Sequence, residues 1–239
     1  MSRHSEPETA AHQRLESEGV IRFNYELLPG ELEDMIPQEL LSVLNHWRHR
    51  MIQEKVLGGG DPDRYDGLGY GNLSARLAPG SPEFVISASQ TGERSSLDVS
   101  GYVLIRKVEP EAFRVWAVGS QPPSSETLTH AMIYRGDPSV NLVLHAHAPA
   151  LWQQAEALQL PVTPPEVEYG SPEMARCVAQ LMSESKKRPN LFVTRGHTDG
   201  VFVYGCDAEE TGTYLLQMLG RAEGLASVSS ELSRGSSLN

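Results

Sequence analysis

The chain has 239 residues, of which 39% are hydrophobic and 21% are charged, enough for the core of one larger domain. Its 20 Lys and Arg against 31 Asp and Glu give a net charge of −11, which argues against a nucleic-acid or anionic-membrane surface. No segment approaches the roughly 20 consecutive apolar residues of a membrane helix. The two cysteines, Cys177 and Cys206, lack the spacing of a disulfide framework or a thiolate metal cluster. We therefore expect a cytoplasmic protein.

The predicted elements alternate between strands and helices along most of the chain. Residues 1–18 are polar, without the apolar stretch of a secretory signal, and are predicted to form a flexible leader. Strand patterns occupy 20–28, 72–77, 83–89, 101–108, 112–118, 140–147, 190–195 and 200–205. Helical patterns occupy 37–57, a segment that begins at Ser124 or Ser125, 149–158, 171–185 and 208–222. The Ser-rich residues 225–239 are predicted to be a flexible tail.

Helices interleaved with strands predict an α/β fold in which helices cover a sheet. Several strands are joined by connections too short for a parallel crossover, so the sheet should be mixed and largely antiparallel. We therefore expect three α/β/α layers. Neither a linker composition nor an internal repeat interrupts the chain, which predicts one domain over residues 19–224.

Three histidines are candidate metal ligands. His145 and His147 lie two apart at the end of an apolar strand, so both side chains leave the same face. Two imidazoles alone fit a surface or hydrogen-bonded pair equally well, but His197, in the Gly-flanked turn RGHTDG, supplies a third ligand. Three neutral imidazoles that leave a coordination position open are typical of catalytic zinc sites. Asp199 in the same turn either forms the turn or orients a ligand histidine.

Glu126 is the candidate acid/base residue because it begins the helix SSETLTHAMIYR beside two hydroxyl groups and free backbone amides. A first-turn glutamate that complements the helix dipole is the structural alternative. His130 lies four residues later on the same helix face, where packing or support of the site is expected rather than metal binding.

Two short segments suit an anion such as phosphate. Asn72 and Ser74 follow glycines in GYGNLSARL, and Thr91 and Gly92 follow a strand in SASQTG. Small residues of this kind let backbone amides and hydroxyls approach a phosphate closely. Each segment alone is also an ordinary turn pattern.

Taken in order, these motifs resemble the class II aldolase/adducin family over about Pro37 to Gly224. The motifs are GNLSAR, Thr-Gly, Ser-Ser-Glu at a helix start, His-x-His-x-Pro at a strand end, and Gly-His before a Gly-Val strand. The resemblance implies a homotetramer with sites between subunits and a bound divalent metal, zinc first, with manganese or another divalent cation as alternatives. It implies metal binding by His145, His147 and His197, an acid/base that also contacts the metal at Glu126, and substrate phosphate binding by Asn72, Thr91, Gly92, Ser124 and Ser125.

The implied activity is that of a lyase that breaks or forms a carbon–carbon bond of a sugar or sugar phosphate through a metal-stabilised enediolate. Family epimerases carry an aspartate where this chain has Glu126, so the glutamate favours a lyase. A dehydratase or decarboxylase could use the same metal and glutamate. A non-catalytic interaction module, like the adducin heads that lack the metal histidines, is the third alternative. No nucleic-acid or membrane partner is expected.

Overall fold

The computed structural model describes residues 19–235, with side chains as far as residue 227, so the predicted flexible leader lies outside the described residues. Within this range the strands form one eight-stranded sheet in the order β1-β5-β4-β3-β2-β6-β8-β7. The strands are β1 (Asn24–Leu28), β2 (Asn72–Arg76), β3 (Phe84–Ser87), β4 (Tyr102–Glu109), β5 (Arg114–Val118), β6 (Leu142–His147), β7 (Asn190–Val193) and β8 (Gly200–Gly205). The β1–β5 pairing is parallel and every other pairing in this sheet is antiparallel.

Helices cover both faces of the sheet. They are α1 (Leu32–Met35), α2 (Gln38–Gln53), α3 (Thr127–Gly136), α4 (Pro149–Gln153), α5 (Pro172–Glu184) and α6 (Ala208–Gly235). Buried residues of α1, α2, α4 and α6 form one hydrophobic cluster with one face of the sheet. Buried residues of α3 and α5 form a second cluster with the other face. The α/β class, the three layers and the largely antiparallel sheet are therefore confirmed.

The side-chain alternation of β6 shows how a strand serves both layers. Leu142, Leu144 and Ala146 join the cluster beneath α2, α4 and α6, whereas Val143 joins the cluster beneath α3 and α5. Since alternate residues share a face, His145 follows Val143 onto the α3 side. The fold thus places the histidines on the same side of the sheet as the start of α3.

Four predicted helix boundaries differ from the structure by more than one residue. α4 ends at Gln153 rather than at 158. α2 ends at Gln53 rather than 57, and Lys55 follows with a left-handed φ of 57°, which a helix cannot continue through. The N-cap of α3 is Glu126, not Ser124 or Ser125, and Glu126 makes no side-chain cap hydrogen bond. α6 continues past 222 to Gly235, so residues 225–235 of the predicted flexible tail are helical, while 236–239 lie outside the described residues.

The extension of α6 has a simple local reason. The sequence from Ala208 to Gly235 contains several serines but no proline, the residue that would break a helix. Among the described helices, none is both long and apolar enough to cross a membrane.

Candidate active site

The three candidate ligand histidines meet in the structure. His145 and His147 point from β6 towards α3, and His197 reaches them from the turn between β7 and β8. One ligand atom from each imidazole lies within 4.8 Å of the others. The side chains are almost fully buried, with exposures of 1%, 0% and 3% for His145, His147 and His197. The alternative of a surface histidine pair is therefore excluded.

Neutral imidazoles are needed for metal binding, and the surroundings of His147 favour that form. Burial, followed by the charges that His197 and His145 can carry, lowers the pKa of His147 well below the usual range of an imidazole. The ring centroids of His147 and His197 are 4.8 Å apart, and those of His145 and His147 are 5.1 Å apart. The three rings thus form one compact group of nitrogen donors.

Glu126 lies directly beside this group. Its Oε1 is 3.2 Å from Nδ1 of His197, and its Oε2 accepts a 2.8 Å hydrogen bond from the hydroxyl of Thr129. Burial opposes ionisation, but the hydrogen bond to His197 and the charges of His145 and His197 outweigh it and lower the pKa of Glu126. The carboxylate is therefore aimed at the histidines, rather than serving only the helix dipole.

A narrow, largely polar cleft is lined by Glu126 and His145. Asn72 enters it from β2, where it is the register partner of His145 on β6. The predicted phosphate-binding residues all line this one cleft: Asn72, Thr91, Gly92, Ser124 and Ser125. The structure therefore brings together residues from three separate segments of the chain, next to the proposed acid/base.

A side chain of α2 forms hydrogen bonds with the loop that carries Thr91 and Gly92. Arg48, fully buried, donates to the backbone carbonyl of Thr91 and, at 2.7 and 2.9 Å, to that of Arg94. Burial lowers the pKa of Arg48 to about 10, so its guanidinium stays charged at neutral pH beneath the loop. Gly92 must be glycine because a Cβ there would lie 1.9 Å from the carbonyl oxygen of Gly58.

The connection from α2 to β2 covers the histidines. This contact was not predicted from the sequence. The ring of Tyr65 lies edge-on to His147 with 4.8 Å between centroids, and its hydroxyl donates a 2.7 Å hydrogen bond to Asp199. Arg64 donates to the His147 carbonyl and to the Tyr70 hydroxyl. Burial and the bond to Asp199 raise the pKa of Tyr65, so the hydroxyl remains a donor.

A second missed segment, residues 164–170, packs against the third histidine. The ring of Tyr169 is 4.9 Å from that of His197, and its hydroxyl donates to the carbonyl of Val20. A Cβ on Gly196 would lie 2.2 Å from the carbonyl oxygen of Val167, which shows how closely the two segments approach. The sequence signal for these two contacts is the presence of aromatic residues in turn-rich segments, namely Tyr65, Tyr70 and Tyr169.

His130 occupies the layer behind the site. Its Nδ1 shares a 2.7 Å hydrogen bond with the Ser74 hydroxyl, and its ring lies edge-on to Phe202 at 5.5 Å. Burial lowers the pKa of His130 to about 3, so the ring is neutral. His130 is not among the residues that converge as metal donors within the described chain.

Comparisons with known proteins place this geometry in a family. A family model described as Class II Aldolase and Adducin N-terminal domain matches residues 63–223, which is more than half of the chain. No curated protein matches the chain by sequence. Solved structures match across most of their length at low sequence identity.

Three of these structures illustrate the similarity. L-fuculose-1-phosphate aldolase from Thermus thermophilus superposes with a TM-score of 0.59 at 19% identity, covering 83% of this chain and 97% of that one. A sugar-phosphate aldolase from Thermotoga maritima gives 0.60 at 17% identity, covering 81% and 96%. YgbL from Klebsiella pneumoniae gives 0.59 at 16% identity, covering 81% and 91%. Its description gives aldolase, epimerase and decarboxylase as alternative activities. The fold and the family match together show that the chain belongs to the class II aldolase/adducin family.

Proposed function

We propose that this protein is a divalent-metal-dependent lyase that breaks or forms a carbon–carbon bond of a sugar phosphate. The observation that carries the proposal is the convergence of three buried imidazoles with the buried carboxylate of Glu126 at one end of a polar cleft. The names of the L-fuculose-1-phosphate and sugar-phosphate aldolases with the same fold support the substrate class.

The three histidines fit a divalent cation. Imidazole nitrogens bind zinc at about 2.0–2.1 Å, and donors already within 4.8 Å of one another need only small side-chain rotations to meet at one ion. His145, His147 and His197 would hold the metal, for which we propose zinc, with manganese or another divalent cation as alternatives. When bound, the cation supplies a Lewis acid for a substrate carbonyl oxygen.

Glu126 would move the proton. Its Oε2 is fixed by the Thr129 hydroxyl, which leaves Oε1 on the side of the histidines and the cleft. Because Glu126 lines the cleft beside His145, its carboxylate lies where it can accept a proton from bound substrate. Its burial excludes bulk water from the position where this transfer occurs.

Other residues of the same cleft would bind the phosphate. Ser124 and Ser125 precede α3, whose first backbone amides have no partner within the helix and carry the positive end of its dipole. Asn72 adds a side-chain amide, and the charge of Arg48 beside the Thr91 loop makes the potential there more positive. These groups would hold a phosphorylated substrate in the cleft that Glu126 also lines.

A dehydratase or decarboxylase is the second candidate function, because the same carboxylate and histidines serve any reaction that removes a proton or CO₂ next to a carbonyl. The intact histidine triad argues against the non-catalytic alternative. The homotetramer with sites between subunits belongs to the proposal through the family resemblance. The cytoplasmic location belongs to it because the two cysteines lack disulfide spacing, which fits a reducing compartment. Light scattering coupled to size exclusion tests the tetramer directly.

The proposal is tested by metal content and product analysis on the purified full chain. We expect about one metal ion per chain, lost in a His145→Ala/His147→Ala double variant. The exposed His46 and His49, changed together to alanine, are the matched control and should keep the metal. Incubation with ketose phosphates should release an aldehyde, whereas water loss or CO₂ release would select the second candidate. A chain that refuses both zinc and manganese would contradict either function.

A further inference from the structure

The strongest feature outside the catalytic residues is the conformation of the α2–β2 connection at Tyr65. Tyr65 and Asp66 have φ values of 50° and 55°, in the left-handed region that a bulky side chain rarely adopts. Such a conformation costs of order 1–3 kcal/mol and persists only where surrounding contacts enforce it. The contacts that Tyr65 makes here lead to the metal histidines.

Two contacts of Tyr65 reach the segments that carry two different histidines. Its ring packs edge-on against the imidazole of His147, with 4.8 Å between centroids. Its hydroxyl donates a 2.7 Å hydrogen bond to Oδ2 of Asp199, two residues after His197 in the same turn. One side chain therefore bridges β6 and the β7–β8 turn.

The backbone closes the same connection. The carbonyl of Asp199 accepts a 2.8 Å hydrogen bond from the amide of Ala148, the residue after His147. Arg64 anchors the connection by donating to the carbonyl of His147 at 3.0 Å. Its guanidinium also lies 4.2 Å from the ring centroid of Tyr70. Arg64 thus ties the connection to β6, while the hydroxyl of the adjacent Tyr65 binds Asp199.

We propose that Tyr65 is a positioning residue for the metal site, whose hydroxyl bond to Asp199 fixes the turn bearing His197 relative to His147. This inference rests on the proposed function, since it concerns the affinity of the same three histidines for a divalent cation. Groups that hydrogen-bond a metal ligand directly contribute roughly 10- to 100-fold to metal affinity, and Tyr65, which acts through the turn, should contribute at the lower end of this range. The bridge between the two histidine-bearing segments also accounts for the strained backbone at Tyr65.

The test measures the dissociation constant of Zn²⁺ by competition with a chromogenic chelator, using the metal-free full chain. Tyr65→Phe keeps the ring against His147 but removes the hydroxyl, and should weaken Zn²⁺ binding by about tenfold or more. Asp199→Gly removes the acceptor while tolerating the φ of 63° at this position, and should weaken binding similarly. Asp199→Asn keeps an acceptor oxygen and should stay within about threefold of the wild type.

A double variant separates the bond from general loosening of the site. Tyr65→Phe combined with Asp199→Gly should bind Zn²⁺ about as well as the weaker single variant, because both remove the same interaction. Tyr70→Phe is the matched control, since it removes a hydroxyl from the same aromatic cluster and leaves the Tyr65–Asp199 bond intact. Far-UV circular dichroism of each metal-free variant verifies folding.

The outcomes discriminate between the two proposals. Wild-type protein that binds Zn²⁺ through the histidines, with Tyr65→Phe equally tight, overturns the role of Tyr65 and leaves the proposed function standing. Equal weakening by Tyr70→Phe also overturns it, because the effect would then not depend on Asp199. Wild-type protein that binds no Zn²⁺ overturns both.

Discussion

The central strands carry a buried polar cluster at each end, and the two clusters differ in where their hydrogen bonds lead. At the end opposite the cleft, Arg76 of β2 is buried with its ring-stacked partner Tyr134. Its guanidinium donates to the backbone carbonyls of Ser81, Tyr134, Asp137 and Val140. Nearby, Arg188 forms a 2.7 Å ion pair with Asp137. All three guanidinium nitrogens of Arg76 therefore have partners within the protein.

At the cleft end, buried polar side chains contact one another or line the cleft. Within the part of the chain that the structure describes, Oδ1 of Asn72, which lines the cleft, is buried without a hydrogen-bond partner. An unpartnered buried acceptor costs about 1–3 kcal/mol, which a hydrogen-bond donor of a ligand in the cleft would offset. The comparison separates a cluster that stabilises the fold from one that is arranged for a ligand.

The largest expected effect falls on catalysis at the cleft end. Glu126→Gln keeps the shape of the side chain but cannot accept a proton, so kcat for sugar-phosphate cleavage should fall by about a thousandfold. Steady-state kinetics, measured together with zinc content, check this statement.

Glu111→Gln is the control for this substitution, because Glu111 is an exposed glutamate that pairs with Arg135 on the surface. It should retain the activity of the wild type. If Glu126→Gln retained more than about a tenth of the wild-type kcat with full zinc content, Glu126 would not be the proton acceptor.

Part of this comparison can be predicted from the sequence, because the periodicity of a strand shows which of its side chains share a face. The alternation in β6 fixes His145 and His147 on one face, and the helical spacing after Glu126 predicts α3. The antiparallel sheet follows from short connections between strands. That the candidate ligands and the cleft residues meet is implied by the family resemblance and not by these patterns.

The residues that escaped prediction act through long-range contacts of irregular segments. Tyr65 lies 134 positions from Asp199, and nothing in a Gly- and Asp-rich connection specifies that the two side chains meet. Arg48 reads as a polar position on an amphipathic helix, yet it is fully buried because two loop carbonyls receive its guanidinium. Periodicity describes which face a residue occupies, but not which loop folds over it.

The second effect should fall on the opposite end and spare the metal. Arg76→Met retains much of the volume of the side chain but leaves several buried carbonyls without a donor, so the free energy of unfolding should drop by about 3 kcal/mol. Zn²⁺ affinity of the folded variant should stay within about threefold of the wild type, since Arg76 lies at the far end of β2. Urea unfolding and chelator competition provide the two measurements.

Arg106→Met supplies the control on the neighbouring sheet surface, where Arg106 pairs with Glu83 and is partly exposed. Its loss should cost no more than about 1 kcal/mol. A comparable loss of stability in both variants would mean that the buried carbonyl contacts of Arg76 contribute little.

The smallest effect concerns the pH dependence of the Asp137–Arg188 pair. Burial opposes ionisation of Asp137, but hydrogen bonds from Ser139 and the charge of Arg188 outweigh it and lower the pKa of the carboxyl. Because the folded pKa lies below the unfolded value of about 3.9, this pair stabilises the fold at neutral pH, and the contribution is lost as the pH falls through the folded pKa. Asp137→Asn should therefore lower stability by about 1–2 kcal/mol at pH 7, and the difference from wild type should shrink below about pH 4.

Urea unfolding of wild type and Asp137→Asn at about pH 7, 4 and 3 tests this sign, with the exposed Asp63→Asn as a control that should show no difference at any pH. A gap between wild type and Asp137→Asn that stayed constant down to about pH 3 would show that the carboxylate charge is not what stabilises this end. Turnover per bound zinc at neutral pH should be unchanged in Asp137→Asn, because the pair closes within the protein and sends no group into the cleft. Stability would then depend on the cluster around Arg76 and Asp137, and catalysis on the cluster at the cleft end, although both are built on the same strands.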